Sequence, residues 1–167
     1  MRVADVNADG YGELQVSGDS VMKGYYKDPD ATAEVFTKDG WFKTGDIGYI
    51  DEDGYAYIKG RKKNLIILSN GENVVPEEIE EQVYSAIPYI KECVVYAEAD
   101  APGLTAEVYL EPEFCETNGL TTAEMKKQFV QKDINAFNSR MSGYKRIYGI
   151  VIRESEFEKS ATQKIKR

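Results

Sequence analysis

Residues 59–81 read KGRKKNLIILSNGENVVPEEIEE. Four of the first five are basic, in a chain whose formal net charge is -8. An apolar run, a turn and a row of carboxylates follow. The stretch separates two kinds of pattern. Before it, short alternating runs are broken by Gly and Asp, which is the pattern of strands and turns. After Arg61, NLIILS at 64–69 reads as a buried strand and Asn70-Gly71 as a turn. Pro76 opens a helix over 76–87, with Ile79, Val83, Ala86 and Ile87 as its apolar stripe. Glu77, Glu78, Glu80 and Glu81 crowd its first turns, where the helix dipole favours carboxylates, and Pro88 ends it. The natural seam is residues 60–63.

Outward from the seam, DIGYIDEDGYAYIKG at 46–60 is the clearest hairpin, with Gly54 available for a positive φ. ELQVSG at 13–18 alternates as a strand. Asp28 and Pro29 supply an N-cap and a first helical position for a short helix over 28–36. On the other side, ECVVYAEA at 92–99 and LTAEVYLEP at 104–112 form a strand pair joined by 100–103. Thr121 with Glu124 makes a capping box for a helix running to 138, lined by Met125, Phe129, Val130, Ile134 and Phe137. IYGIVI at 147–152 is another strand, and SEFEKSATQKIKR is a polar tail that is ordered only if something holds it. The expected fold class is α+β. Residues 1–60 read as the β-rich end of a larger domain, and 61–167 as a small α+β domain with an antiparallel sheet flanked by helices.

Composition narrows the chemistry. Apolar residues make up 42%, enough for a core, and twelve tyrosines with six phenylalanines supply much of it. The acidic balance disfavours nucleic-acid binding, which needs a basic footprint. There is no histidine, which removes the usual general base and most zinc sites. Cys93 opens an apolar strand and reads as buried, whereas Cys115 sits in a polar linker and reads as exposed. Two cysteines are too few for a disulfide scaffold. No apolar run approaches the roughly 18 residues of a membrane span, and MRVADVNADGYG lacks the apolar core of a signal peptide, so a cytoplasmic location is expected.

GELQVSGDSVMKGYYKDPDAT, GWFKTGD at 40–46, YIKGRKKNLIILSNGENVVPEEIE, MSGYKRI at 141–147 and EKSATQKIKR at 158–167 occur in order. Together they resemble the C-terminal portion of the adenylate-forming enzymes: acyl-CoA synthetases, peptide-synthetase adenylation domains and luciferases. The resemblance runs from near residue 12 to residue 167. The FEKSATQKIKR ending is most similar to the long-chain fatty-acid–CoA ligases. The resemblance implies two half-reactions. ATP, accompanied by Mg2+, and a carboxylate give an acyl-adenylate; CoA then takes the acyl group as a thioester. It also implies that a small domain swings on a hinge between them. The family's Ser/Thr/Gly-rich phosphate loop, its glutamate motif and most of its acyl pocket are not among the 167 residues. The chain is therefore expected to need a large N-terminal domain in cis and to be inactive alone. Peripheral membrane contact is left open. The alternatives are a peptide-synthetase domain loading a carrier protein and an interaction module that kept the fold without the chemistry.

The resemblance assigns roles residue by residue. Asp46 accepts hydrogen bonds from the ribose hydroxyls of ATP or AMP, and Arg61 lies near the ribose or phosphates, where a planar guanidinium fork suits the job. Lys62 reads as a solvated side chain. Lys63 falls on the hinge position, a mechanical role. Gly71 borders the path of the pantetheine arm, against the plainer reading of a turn glycine. Lys164 matches the catalytic lysine that reaches the carboxylate oxygen and α-phosphate during adenylation. The commonest family form has proline, threonine and glycine where this chain has Glu158, Ser160 and Gln163.

Overall fold

The computed structural model describes residues 1–98 and 103–166. The chain divides into two compact units, Met1–Leu65 and Ile66–Arg167.

The first unit is a four-stranded antiparallel sheet in the order β1-β2-β3-β4: Arg2–Ala4, Gly12–Val16, Phe42–Ile50 and Ala56–Arg61. A short helix, α1 (Pro29–Val35), is capped by Asp28, whose carboxylate accepts from the Ala31 N–H at 3.0 Å. Its buried apolar core is small: Leu14 and Ile47. Cross-strand aromatic stacking adds to it, with Tyr49 lying 5.7 Å from Tyr11 and 4.9 Å from Tyr57 between ring centroids. Gly48 sits at a bulge in β3 because a side chain there would collide with the Tyr57 carbonyl. Lys62 is not simply solvated. Its ammonium pairs with the buried Glu13 carboxylate at 2.9 Å, which a charge this deep requires.

Arg2 grips Asp39 through two hydrogen bonds of 2.7 and 3.2 Å. That guanidinium, helped by Thr37, pulls the Asp39 carboxyl from 3.8 down to about 2. The folded value lies below the unfolded one, so the pair's contribution is complete above about pH 4 and is lost as pH falls toward 2. An NMR titration should place the Asp39 midpoint near 2, and Arg2→Ala should return it toward 3.8.

The second unit begins with a two-stranded hairpin, β5 (Ile66–Ile67) and β6 (Asn73–Val74), and continues with α2 (Pro76–Ala86). A three-stranded sheet follows, ordered β7-β8-β9: Ile90–Ala97, Leu104–Leu110 and Ile147–Ile152. Between β8 and β9 lie α3 (Pro112–Thr117) and α4 (Ala123–Asn138). The core joins Ile79 and Val83 of α2, Cys93 and Val95 of β7, Ala106 and Val108 of β8, Val130 and Ile134 of α4, and Ile147 and Ile150 of β9. The connection at 100–102 lies outside the described residues.

The α+β class holds, but the sheet is mixed rather than antiparallel. β7 and β8 are antiparallel, whereas β9 runs parallel to β8. The α3–α4 excursion carries the chain back to start β9 beside the start of β8, as a helical crossover must. The expected strand at 64–69 shrinks to Ile66–Ile67, and Ile67 is 75% exposed. A 3-10 turn takes Lys62–Asn64, and the Leu68 N–H donates to the Glu72 carbonyl to close the next turn. Cys115 is buried, not exposed. Pro112 opens α3, which presents Cys115 inward while Phe114 stacks on Tyr89 at 4.4 Å. The cap of α4 is Thr122, not Thr121; its hydroxyl accepts from the Met125 N–H at 3.2 Å.

The open edge of β7 is occupied by side chains of α2. The Glu80 carboxylate accepts from the Val95 N–H at 2.7 Å. The Tyr84 hydroxyl accepts from the Cys93 N–H at 2.7 Å and donates to the Cys93 carbonyl at 3.3 Å. Burial pushes the Tyr84 phenol up to about 12, so it remains a donor.

Candidate active site

Asp46 and Arg61 face each other in register across β3 and β4. The Arg61 guanidinium donates to Asp46 Oδ1 at 2.6 Å. Asp46 is held from behind as well. Its N–H donates to Thr44 Oγ1 at 3.0 Å, and that hydroxyl donates to the Leu14 carbonyl at 2.7 Å. The Asp46 side chain is 23% exposed and that of Arg61 51%. An ion pair this open contributes about 1 kcal/mol or less to stability. Its consequence is orientation: one carboxylate oxygen is engaged, and Oδ2 accepts no hydrogen bond from a described residue. A fixed carboxylate with a free oxygen beside a guanidinium suits a vicinal diol next to a phosphate. Thr44 was legible only as a residue of the GWFKTGD stretch; its link to Leu14 spans 30 positions and has no local signal.

Lys63 is exposed in the 3-10 turn, two residues before the first unit ends at Leu65. It forms no ion pair with a described residue.

Gly71 and Lys164 belong to the second unit. Gly71 has φ +83 and donates its N–H to the Leu68 carbonyl at 2.9 Å, closing the β5–β6 turn. The turn alone accounts for a glycine there. Lys164 lies in a tight hairpin closed by a bridge between Lys159 and Ile165. The Ser160 N–H donates to the Lys164 carbonyl at 2.8 Å, and the Gln163 N–H to the Ser160 carbonyl at 2.9 Å. Ser160 Oγ accepts from the Lys164 N–H at 3.2 Å and lies 3.0 Å from Thr162 Oγ1. Gln163 adopts φ +61, the left-handed conformation a glycine takes freely, at a cost of about 1 kcal/mol. The Lys164 side chain is exposed and pairs with no described carboxylate.

A β-rich sheet followed by a small mixed α+β unit matches the fold of the C-terminal part of enzymes that make acyl-adenylates. The chain belongs to that family: the AMP-binding enzyme C-terminal domain matches residues 63–167. Among curated relatives, sulfoacetate–CoA ligase of Cupriavidus necator is 61% identical over 70 residues, 42% of this chain and 14% of that protein. Long-chain-fatty-acid–CoA ligase FadD15 of Mycobacterium tuberculosis is 45% identical over 113 residues, 68% of this chain and 18% of that protein. The o-succinylbenzoate CoA synthetase MenE of Bacillus subtilis, solved with its acyl-adenylate intermediate, superposes with a TM-score of 0.72 at 26% identity, covering 96% of this chain and 31% of that one. An ATP-bound RpMatB-BxBclM chimera gives 0.75 at 31% identity, covering 92% and 28%. The chain thus spans less than a third of the length of the relatives it matches.

Proposed function

We propose that the chain forms the nucleotide-closing part of an ATP-dependent acyl-CoA ligase acting on a carboxylate, with a fatty acid as the favoured substrate class. The observation that carries this reading is the preformed 159–165 hairpin, which presents an exposed Lys164 that pairs with no described carboxylate, in a chain of the adenylate-forming family. Asp46 would take the ribose hydroxyls on its free oxygen while Arg61 fixes the carboxylate and faces the phosphates. In the first half-reaction the substrate carboxylate oxygen attacks the α-phosphorus, and pyrophosphate leaves with the bonding electrons. The Lys164 ammonium lies against both anions, offsets the charge growing on phosphorus and takes no proton. In the second, a thiol displaces AMP from the acyl carbonyl, with Gly71 beside the pantetheine path. Lys63 is the hinge. Its exposed ammonium loses no ion pair with a described residue when the backbone turns. Among the described residues no group of three or more Cys, Asp or Glu side chains could hold a metal ion, so Mg2+ would arrive on ATP. No described helix is long and apolar enough to cross a membrane.

The test is a fusion in which this whole chain replaces the segment of FadD15 that contains the 113-residue match. It should convert ATP, a fatty acid and CoA to acyl-CoA. Asp46→Ala should lower kcat/KM for ATP by about 10–100-fold, the loss of hydrogen bonds to a charged acceptor. An unchanged ATP dependence would remove Asp46 from the nucleotide site. Acyl transfer to a carrier-protein thiol but not to CoA would move the chain to the carrier-loading class.

A further inference from the structure

We propose that Glu92 is a positioning residue for Lys164, anchoring through Lys159 and the Phe157 N–H the hairpin that carries it. The inference rests on the adenylation role given to Lys164 above.

The geometry begins in β7. The register of β7 on β8 shifts between Ile90 and Glu92. Ile90 and Cys93 both enter the core, so the irregularity turns Glu92 out of the core-facing set. Glu92 is nonetheless only 5% exposed. Each of its carboxylate oxygens has a partner on the C-terminal segment. Oε1 meets the Lys159 ammonium at 2.6 Å, and Oε2 accepts from the Phe157 N–H at 2.7 Å.

Both partners lie at the root of the lysine hairpin. Lys159 is the residue that bridges Ile165 to close it. The same ammonium reaches Glu156 at 2.9 Å, and Glu156 in turn meets Lys91 of β7 at 3.0 Å. Hydrogen bonds from the Lys159 ammonium to Glu92 and then Glu156 raise it above the ordinary lysine range, so it stays charged. Upstream, Arg153 pairs with Glu107 of β8 at 2.6 Å and covers the Phe157 ring at 4.3 Å. The segment 153–159 is therefore fastened to the sheet at several points. Among the described residues, Glu92 is the one buried carboxylate that partners this segment. From Lys159 the hairpin closes on itself through backbone bonds, which fixes Lys164 relative to its base. A lysine on a flexible four-carbon stem gains most from a fixed root, because a displacement of about 1 Å in a reacting geometry costs about a hundredfold in rate.

Glu92→Gln keeps the shape and an acceptor for the Phe157 N–H, and removes the charge that holds Lys159. In the 167-residue chain, amide hydrogen exchange at Phe157, Ser160, Gln163 and Lys164 should rise by about tenfold. The Val95 amide, tied to Glu80, should not move. In the FadD15 fusion the same change should lower acyl-adenylate formation by about tenfold. Thioester formation from preformed acyl-adenylate should stay within about twofold. Added to Lys164→Ala, it should cost nothing further, since its effect runs through that lysine. If Glu92→Gln does not fold, Lys159→Met carries the same expectations from a side chain outside the core. Unchanged exchange at 157–164 would overturn the inference. So would equal loss in both half-reactions, or a full additional loss on top of Lys164→Ala. If Lys164→Ala itself leaves adenylate formation intact, the adenylation reading fails first. If Lys164→Ala is damaged and Glu92→Gln is not, only the anchor fails.

Discussion

Lys164→Ala in the FadD15 fusion should lower the rate of acyl-adenylate formation by about 10²–10³-fold, the usual effect of removing one positioned donor from developing charge. Formation of the thioester from added acyl-adenylate should stay within about threefold. The split follows from where charge builds. Carboxylate and α-phosphate are both anions, and bringing them together is the burden of the first step alone. In the second step the nucleophile is a thiol and AMP is already bonded to the acyl group, so a bridging ammonium has nothing to bridge. Pyrophosphate exchange reads the first step, and single-turnover thiolysis reads the second. The backbone supports a clean experiment, because every hydrogen bond that closes the 159–165 hairpin comes from main chain or from Ser160. Removing the Lys164 side chain therefore leaves its loop in place. Equal damage to both steps would refute the assigned role.

Ile134→Ala should destabilise the 167-residue chain by about 3 kcal/mol, within the range for truncating a fully buried isoleucine. Ile134 is 0% exposed and faces the core shared by α2 and the sheet. Met125→Ala on the same helix should cost less than about 1 kcal/mol, since that side chain is 43% exposed. Urea denaturation followed by circular dichroism measures both. Similar losses at the two positions would mean that the apolar stripe of α4 is buried along its whole length, contrary to the structure.

The contrast between those residues marks how far the sequence could be read. Periodicity put Met125, Phe129, Val130, Ile134 and Phe137 on one side of a helix, and that is correct as geometry. It could not say that, of these, only Val130, Ile134 and Phe137 are buried. Likewise α2, the 46–60 hairpin and the β9 strand were legible because each repeats its own period and carries its own stop signals. The short α3 was not. Six residues are too few for a helical period, and what holds it is Tyr89, far back in the chain. The parallel pairing of β9 was equally hidden, since a strand's own sequence does not state its direction relative to a neighbour. Among the candidate site residues, Asp46 and Arg61 stood out only through their motifs. Their meeting at 2.6 Å depends on the bulge that sets the β3–β4 register, which no local pattern encodes. Glu92 carried no signal at all, because a glutamate in a strand looks like any solvent-facing charge until the tail arrives to cover it.

Glu80 and Tyr84 lie on the free edge of β7, and α2 precedes β7 in the chain. During synthesis the helix emerges first, so its guard is available when ECVVYA leaves the ribosome. An unpaired edge with that composition is a template for another chain. Here the Cys93 and Val95 N–H groups on that edge are claimed by a phenol and a carboxylate before a neighbouring molecule can reach them. The order of elements along the chain thus gives the unit protection against intermolecular strand addition while β9, the last strand of the sheet, has yet to be made.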